Sequence, residues 1–231
     1  MTGGARTTET AGQTTVADDD RPGGRHLSVV GSQSFYQRRG KRALDLSVGV
    51  LLLAASLPLM AVVALCIRLV MGRGVVYRQE RVGRNGQKFT MLKFRSMDPD
   101  RRQRPKAFDG SDRRRTHKTV NDPRHTVLGR FLRKSSLDEM PQLWNVIRGD
   151  MSLVGPRPEL SSVVERHNLW NHPRHTVRPG ITGVWQISPL RDELLYETVD
   201  IDLEYLPNIT LRNDVSLLGR TATSVLGRAG K

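Results

Sequence analysis

The chain has 231 residues, enough for one domain with a real core plus appendages. Its 37 Lys and Arg against 23 Asp and Glu leave a net charge of +14, which points to a polyanionic partner: nucleic acid, an anionic membrane face or a phosphorylated substrate. A single cysteine, Cys66, excludes a disulfide framework and a cysteine-based metal site, and makes a reducing cytoplasm the default compartment.

Residues 1–36 are rich in Thr, Gly, Asp and Ser with almost no large apolar side chains, the composition of a disordered tail. No apolar core of a signal peptide appears before Ala43. From Ala43 to Ile67 the composition inverts into an apolar run about long enough to cross a bilayer as one helix. Two features favour a re-entrant hairpin over 37–72, a membrane-dipping helix-break-helix with both ends cytoplasmic. Pro58 interrupts the run just past its middle, and Ser56 can satisfy a backbone group freed by a bend. Positive charge flanks both ends, with Arg38, Arg39, Lys41 and Arg42 before and Arg68, Arg73, Arg78, Arg81 and Arg84 after, so a crossing would strand one cluster outside. A break at Ser56-Leu57-Pro58 leaves arms of about 12–15 residues, roughly 20 Å each, too short for a hydrocarbon core of about 30 Å.

Two β-prone runs, from Val75 to Gln79 and from Lys88 to Arg95, surround Asn85-Gly86, a hairpin signal. Lys93 and Arg95 share a face of the second strand, where two cations either grip phosphate or act as solvated edge charges. Residues 98–122 form a basic loop whose charge suits anionic headgroups or RNA, or is merely solvated. Phe108 is its lone aromatic residue, so the stacking platforms of a nucleic-acid binder are lacking. Val127 to Lys134 reads as a helix with Leu128, Phe131 and Leu132 on one face, and it delivers Arg133 five residues before Asp138.

The stretch Ser135 to Val146 organises the rest. Ser136 and Glu139 have capping-box spacing, and Leu137, Met140, Leu143, Trp144 and Ile147 recur as one buried helix face requires, with Gly149 as the stop. Pro141 conflicts with a helix begun at Leu137, because it offers no amide to the Leu137 carbonyl. Asp138 and Glu139 therefore sit at or just before the helix mouth. There the helix field favours structural first-turn carboxylates by about 0.3–1 kcal/mol. The same field keeps a catalytic carboxylate ionised and gathers phosphate oxygens beside it, so the local pattern fits either reading. Two later segments, Met151 to Pro158 and Arg178 to Gly183, each carry an arginine fixed by proline. Arg157 and Arg178 thus have little backbone freedom to lose on capturing a phosphate or carboxylate, and the adjacent glycines let backbone approach a ligand. The histidines show no metal-ligand spacing. Beyond Leu194 the pattern is helical pieces interrupted at Pro207, ending in a basic tail over 226–231.

Together these blocks resemble the bacterial sugar transferase family, the monotopic phosphoglycosyl transferases that begin glycan assembly on polyprenol phosphate. The blocks are Lys41-Arg42 with Asp45 opening the apolar run, Lys93-Phe94-Arg95-Ser96-Met97, Leu132-Arg133, Ser136 to Val146, Gly149 to Pro158, and Arg178 to Gly183. The small form of the family is implied, because no multi-helix membrane domain precedes the core. The resemblance implies an α+β fold, mostly helical, with the re-entrant membrane segment and a small β-hairpin. It also implies a catalytic domain over 73–225 and a place on the cytoplasmic face of the inner membrane. The implied reaction moves a phospho-sugar from a UDP-sugar to undecaprenyl or decaprenyl phosphate, releasing UMP. In the matching positions Asp138 is the nucleophile that forms a covalent phosphosugar-aspartate, and Glu139 is its partner as base, metal ligand or orienting group. Mg²⁺ is the implied cofactor, touching Asp138. Arg133, Arg157, Lys93 and Arg178 are the implied phosphate or nucleotide contacts, and Ser56 and Pro58 mark the hairpin break. Expected partners are the UDP-sugar, the polyprenol phosphate and anionic lipids, with a homodimer left open and no nucleic acid. Two positions depart from the family pattern: Ile187 to Leu190 stands where many relatives carry Gly-Arg, and the break is Ser-Leu-Pro rather than Ser-Pro. A membrane-anchored nucleic-acid-binding protein using the basic loop is the rival reading.

Overall fold

The computed structural model describes residues 34–97, 126–189 and 199–229. The basic loop expected over 98–122 and the tail expected at the N-terminus, up to residue 33, lie outside the described residues. At the other end, backbone expected to be a tail from 226 onward continues as helix to Ala229.

A π-helical turn, Tyr36–Gly40, runs directly into α1, Lys41–Met71. Together they form a helix of 36 residues, long and apolar enough to cross a membrane. The break expected at Ser56-Leu57-Pro58 does not interrupt it. Pro58 lies inside α1, and the Ser56 hydroxyl donates to the Leu53 carbonyl at 3.0 Å, one turn from the proline. A proline removes one amide donor and adds one clash, which a helix can absorb when its other bonds hold.

One stripe of α1 faces the protein, with Asp45, Gly49, Val63 and Ile67 buried at helical spacing. The opposite face leaves Leu51, Leu57, Val62, Leu65 and Leu69 exposed, an apolar surface that water disfavours. Both ends are fastened to the same body. Arg42 donates to the Val146 and Ile147 carbonyls, and Asp45 accepts from the Ser152 hydroxyl and the Leu153 amide. At the far end Arg95 donates to the Met71 and Gly72 carbonyls, so its guanidinium caps a helix instead of joining Lys93 as a phosphate grip.

The expected hairpin is present, with β1, Val76–Val82, antiparallel to β2, Lys88–Phe94. Asn85 and Gly86 take the left-handed conformations that close its loop, at φ 55° and φ 71°. After α2, Val127–Lys134, comes a 3-10 turn, Leu137–Glu139, and then α3, Gln142–Arg148. This corrects the expected helix start. Pro141 is the N-cap of α3, Ser136 sits at φ 58° with no side-chain cap, and the Glu139 carboxylate accepts from Lys93. The buried face rotates accordingly. Gln142, Leu143, Asn145 and Val146 are buried, while Trp144, expected inside, is 49% exposed. Gly149 ends α3 as expected, at φ 95° with its amide on the Asn145 carbonyl.

A second sheet was not expected. β3, Ser152–Val154, pairs in parallel with β4, Gly180–Thr182. The crossover contains α4, Ser161–Arg166, and the 3-10 turn Pro173–Thr176. The two Arg-Pro segments are thereby bound side by side, and the glycines serve that approach. A Cβ on Gly180 would lie 2.2 Å from the Gly155 nitrogen, and one on Gly183 the same distance from the Gly155 oxygen. Short α5, Val184–Ile187, and α6, Leu211–Ala229, complete the chain, with Pro207 in the 3-10 turn Leu206–Asn208. The main core gathers Met91, Leu143, Val146, Met151, Leu153 and Tyr205, and a second cluster packs Val63 and Ile67 of α1 on Phe94 and Leu132.

Candidate active site

The site forms where β2 lies against the start of α3. Asn145, fully buried on α3, takes the Leu92 amide on its Oδ1 and gives its amide hydrogens to the Thr90 carbonyl and Asp150. These bonds lock the helix to β2 beside Lys93. The 3-10 turn aims its two adjacent carboxylates differently. Glu139 meets the Lys93 ammonium at 2.7 Å, and Asp138 is 8% exposed with no ion pair among the described residues.

Their environments push the two carboxyl groups apart. Burial raises the Asp138 pKa from 3.8 to about 6, helped by the Glu139 charge and opposed by Lys93 and Arg133. Burial also works against the Glu139 charge, yet Lys93, Arg157 and Arg81 outweigh it and hold that carboxyl below the ordinary glutamate range. The dyad therefore consists of one neutralised carboxylate and one that lacks a full counter-charge. A cation or a phosphate-bearing ligand with its own cation would relieve the second.

A shallow cleft open to solvent is lined by Arg81, Lys93, Glu139, Gln142, Arg157 and Pro158, among others, with Asp138 and Arg133 beside it and not in its lining. Arg157 is held over the Trp185 ring, its guanidinium carbon 5.4 Å from the ring centre. Arg133 is exposed on α2, near enough that its charge acts on Asp138. Asp138, Glu139, Lys93, Arg133 and Arg157 thus share one electrostatic neighbourhood. Arg178 is set apart from it. Its Nε donates to the Gly149 carbonyl at 2.8 Å, beside Arg42 at the end of α3, and it does not line the cleft. Ser56 and Pro58 lie on α1.

Sequence reading missed Arg81 and Gln142. Arg81 donates to the Pro158 carbonyl at 3.1 Å and to Gln79, and lies 3.7 Å from Glu159. Burial, with Arg157 nearby, lowers its pKa to about 10. The signal was in the register: Arg81 pairs with Phe89 and Tyr77 with Lys93, so alternation puts Arg81 and Lys93 on one face of the hairpin. Gln142 is 3% exposed on the first turn of α3, four residues after Asp138.

Among the described residues no three His, Cys, Asp or Glu converge as a closed metal cage. Mg²⁺ does not need one, since it binds through one or two carboxylates and completes its shell with water and substrate phosphates. Asp138, buried and short of positive charge, fits that donor set.

The bacterial sugar transferase model matches residues 36–228. The UDP-galactose-lipid carrier transferase of Erwinia amylovora is 40% identical over 82% of this chain, and the undecaprenyl-phosphate galactose phosphotransferase of Salmonella typhimurium 41% over the same share. This chain spans 41% of the length of each. The exopolysaccharide production protein ExoY of Sinorhizobium fredii is 39% identical over 80% of this chain and 84% of its own length. A family match over nearly every described residue, with the Asp138-Glu139 dyad and its cations assembled in one place, means that the chain belongs to the bacterial sugar transferase family.

Proposed function

We propose that this protein transfers a phospho-sugar from a UDP-sugar to a polyprenol phosphate, by way of a phosphosugar joined to Asp138. The observation that carries the reading is the asymmetric dyad: a buried carboxylate short of positive charge beside a second one neutralised by Lys93, facing Arg157 and Arg81. The names of the relatives support the substrate class, since they act on UDP-galactose or undecaprenyl phosphate.

An Asp138 carboxylate oxygen attacks the β-phosphorus of the UDP-sugar. The bond from that phosphorus to the bridging oxygen breaks, and UMP leaves with the electron pair. The polyprenol phosphate oxygen then attacks the same phosphorus and expels the carboxylate, giving polyprenol diphosphate sugar and free Asp138. Two steps let a soluble nucleotide sugar and a membrane lipid use one site in turn. Arg157, Arg133 and Lys93 balance the charge of the diphosphate, and Glu139 keeps Lys93 in place. When bound at Asp138, Mg²⁺ supplies further neutralisation of the phosphate oxygens. Arg178 acts from behind, holding the end of α3.

We read α1 as re-entrant, dipping into the cytoplasmic leaflet of the inner membrane. This is supported by both its ends being fastened to one body, through Arg42 and Asp45 at one and Arg95 at the other. A spanning helix would carry those ends to opposite sides. The site then lies at headgroup level, where the lipid phosphate resides and anionic lipids attract the basic chain.

Incubation with a UDP-sugar and no lipid acceptor tests the reading. Intact-mass spectrometry is expected to find a phosphosugar adduct on Asp138, chased by undecaprenyl phosphate. Enzyme that turns over but never carries the adduct would remove the nucleophile.

A further inference from the structure

The phosphate-facing Arg157 lies between two prolines, yet prolines fix only its local backbone. What holds the loop is found behind it. Arg174, in the turn Pro173–Thr176, and Asp202, in the turn Val199–Glu204, form an ion pair at 2.8 Å with both side chains 1% exposed. The Nη2 of Arg174 that meets Asp202 also donates to the Arg157 carbonyl. Burial raises the Asp202 pKa to about 6, and the Arg174 charge, with the nearby backbone of Arg157 and Trp185, works against that rise. Arg157 is therefore held at its carbonyl by the buried pair. The Trp185 ring lies under the Arg157 guanidinium.

A buried ion pair is a poor stabiliser, because desolvation cancels most of its Coulomb gain and apolar packing would serve as well. What apolar residues cannot do is give a charged hydrogen bond to the Arg157 carbonyl from a buried guanidinium whose own charge is offset. We infer that the Arg174–Asp202 pair is the positioning device of Arg157, fixing that guanidinium to meet the diphosphate of the donor. The pair reaches the ligand only through Arg157 and touches no reacting atom. This inference rests on the nucleotide-sugar reading above.

The test is a set of double-mutant cycles on the full chain, with UDP affinity measured by titration calorimetry and folding checked by thermal melts. Asp202→Asn keeps the shape of the carboxylate, and Arg174→Gln serves as the second variant. Each is expected to weaken UDP binding by about tenfold, the worth of one charged hydrogen bond. In an Arg157→Ala background the same changes should cost less than about twofold, whereas in an Arg133→Ala background the tenfold loss should persist. For variants that still melt cooperatively, equal losses in all three backgrounds would mean a general structural role and overturn the inference alone. A parent chain that melts cooperatively but has no affinity for UDP would overturn the nucleotide-sugar reading and this inference with it.

Discussion

Replacing Asp138 by asparagine should abolish turnover and at the same time make the protein more stable at neutral pH. In the folded chain the Asp138 pKa is raised from 3.8 to about 6, chiefly by burial. The folded state thus holds this proton more tightly than the unfolded state. Its contribution to stability is fully present below pH 3.8 and is lost as pH rises through about 6. Roughly two pKa units at 1.36 kcal/mol each make the ionised carboxylate a burden of about 3 kcal/mol above pH 7. Asparagine keeps the shape and carries no charge. For a chain of this size that amounts to a Tm higher by roughly 6–12 °C at pH 7.5. The difference should shrink toward zero near pH 4. The assay is a pair of melting series in detergent with EDTA, so that no cation offsets the charge. A Tm difference independent of pH between 4 and 8, or an Asn variant less stable at pH 7.5, would refute the account of Asp138 as an uncompensated buried carboxylate.

With Mg²⁺ held well below saturation, so that the cation does not offset the charge, the same ionisation should govern catalysis, with kcat/KM for UMP release rising with pH through an apparent pKa near 6; a flat profile from pH 5 to 8 would contradict it. Lys93→Met should strand Glu139, costing about 1–2 kcal/mol of stability for this partly buried pair, and adding Glu139→Gln should recover part of it in denaturant titrations. Gly180→Ala drives a Cβ into the Gly155 backbone and should cost more than about 3 kcal/mol or block folding. Gly219→Ala, on the open side of α6, should stabilise by about 0.5–1 kcal/mol in the same melts. Chelation should stop transfer, and Mg²⁺ added back should restore it, read as UMP release.

The features settled by neighbours along the chain were legible in the residues alone. Asn85-Gly86 closed a hairpin because those residues tolerate left-handed backbone, and Gly149 stopped α3 for the same reason. The Asp138-Glu139 dyad and the cations Lys93, Arg133 and Arg157 could be named because their blocks, in chain order, resemble those of the family; the pattern around the dyad alone fitted structural first-turn carboxylates as well. Tertiary structure decided which of them meet. It paired the Arg157 and Arg178 segments as parallel strands, and then turned Arg178 and Arg95 onto carbonyls instead of the cleft. It brought Arg81 in across the hairpin and set the Arg174–Asp202 pair behind Arg157. It also let α1 run through Pro58, where local rules expect a break, because packing on both sides of the proline outweighs one lost amide bond. Turn chemistry depends on a residue's own φ and ψ, whereas burial and charge environment depend on groups tens of residues away. For that reason the sequence offered Asp138 as a candidate, and only the folded chain supplies the burial that pushes its carboxyl pKa up to about 6.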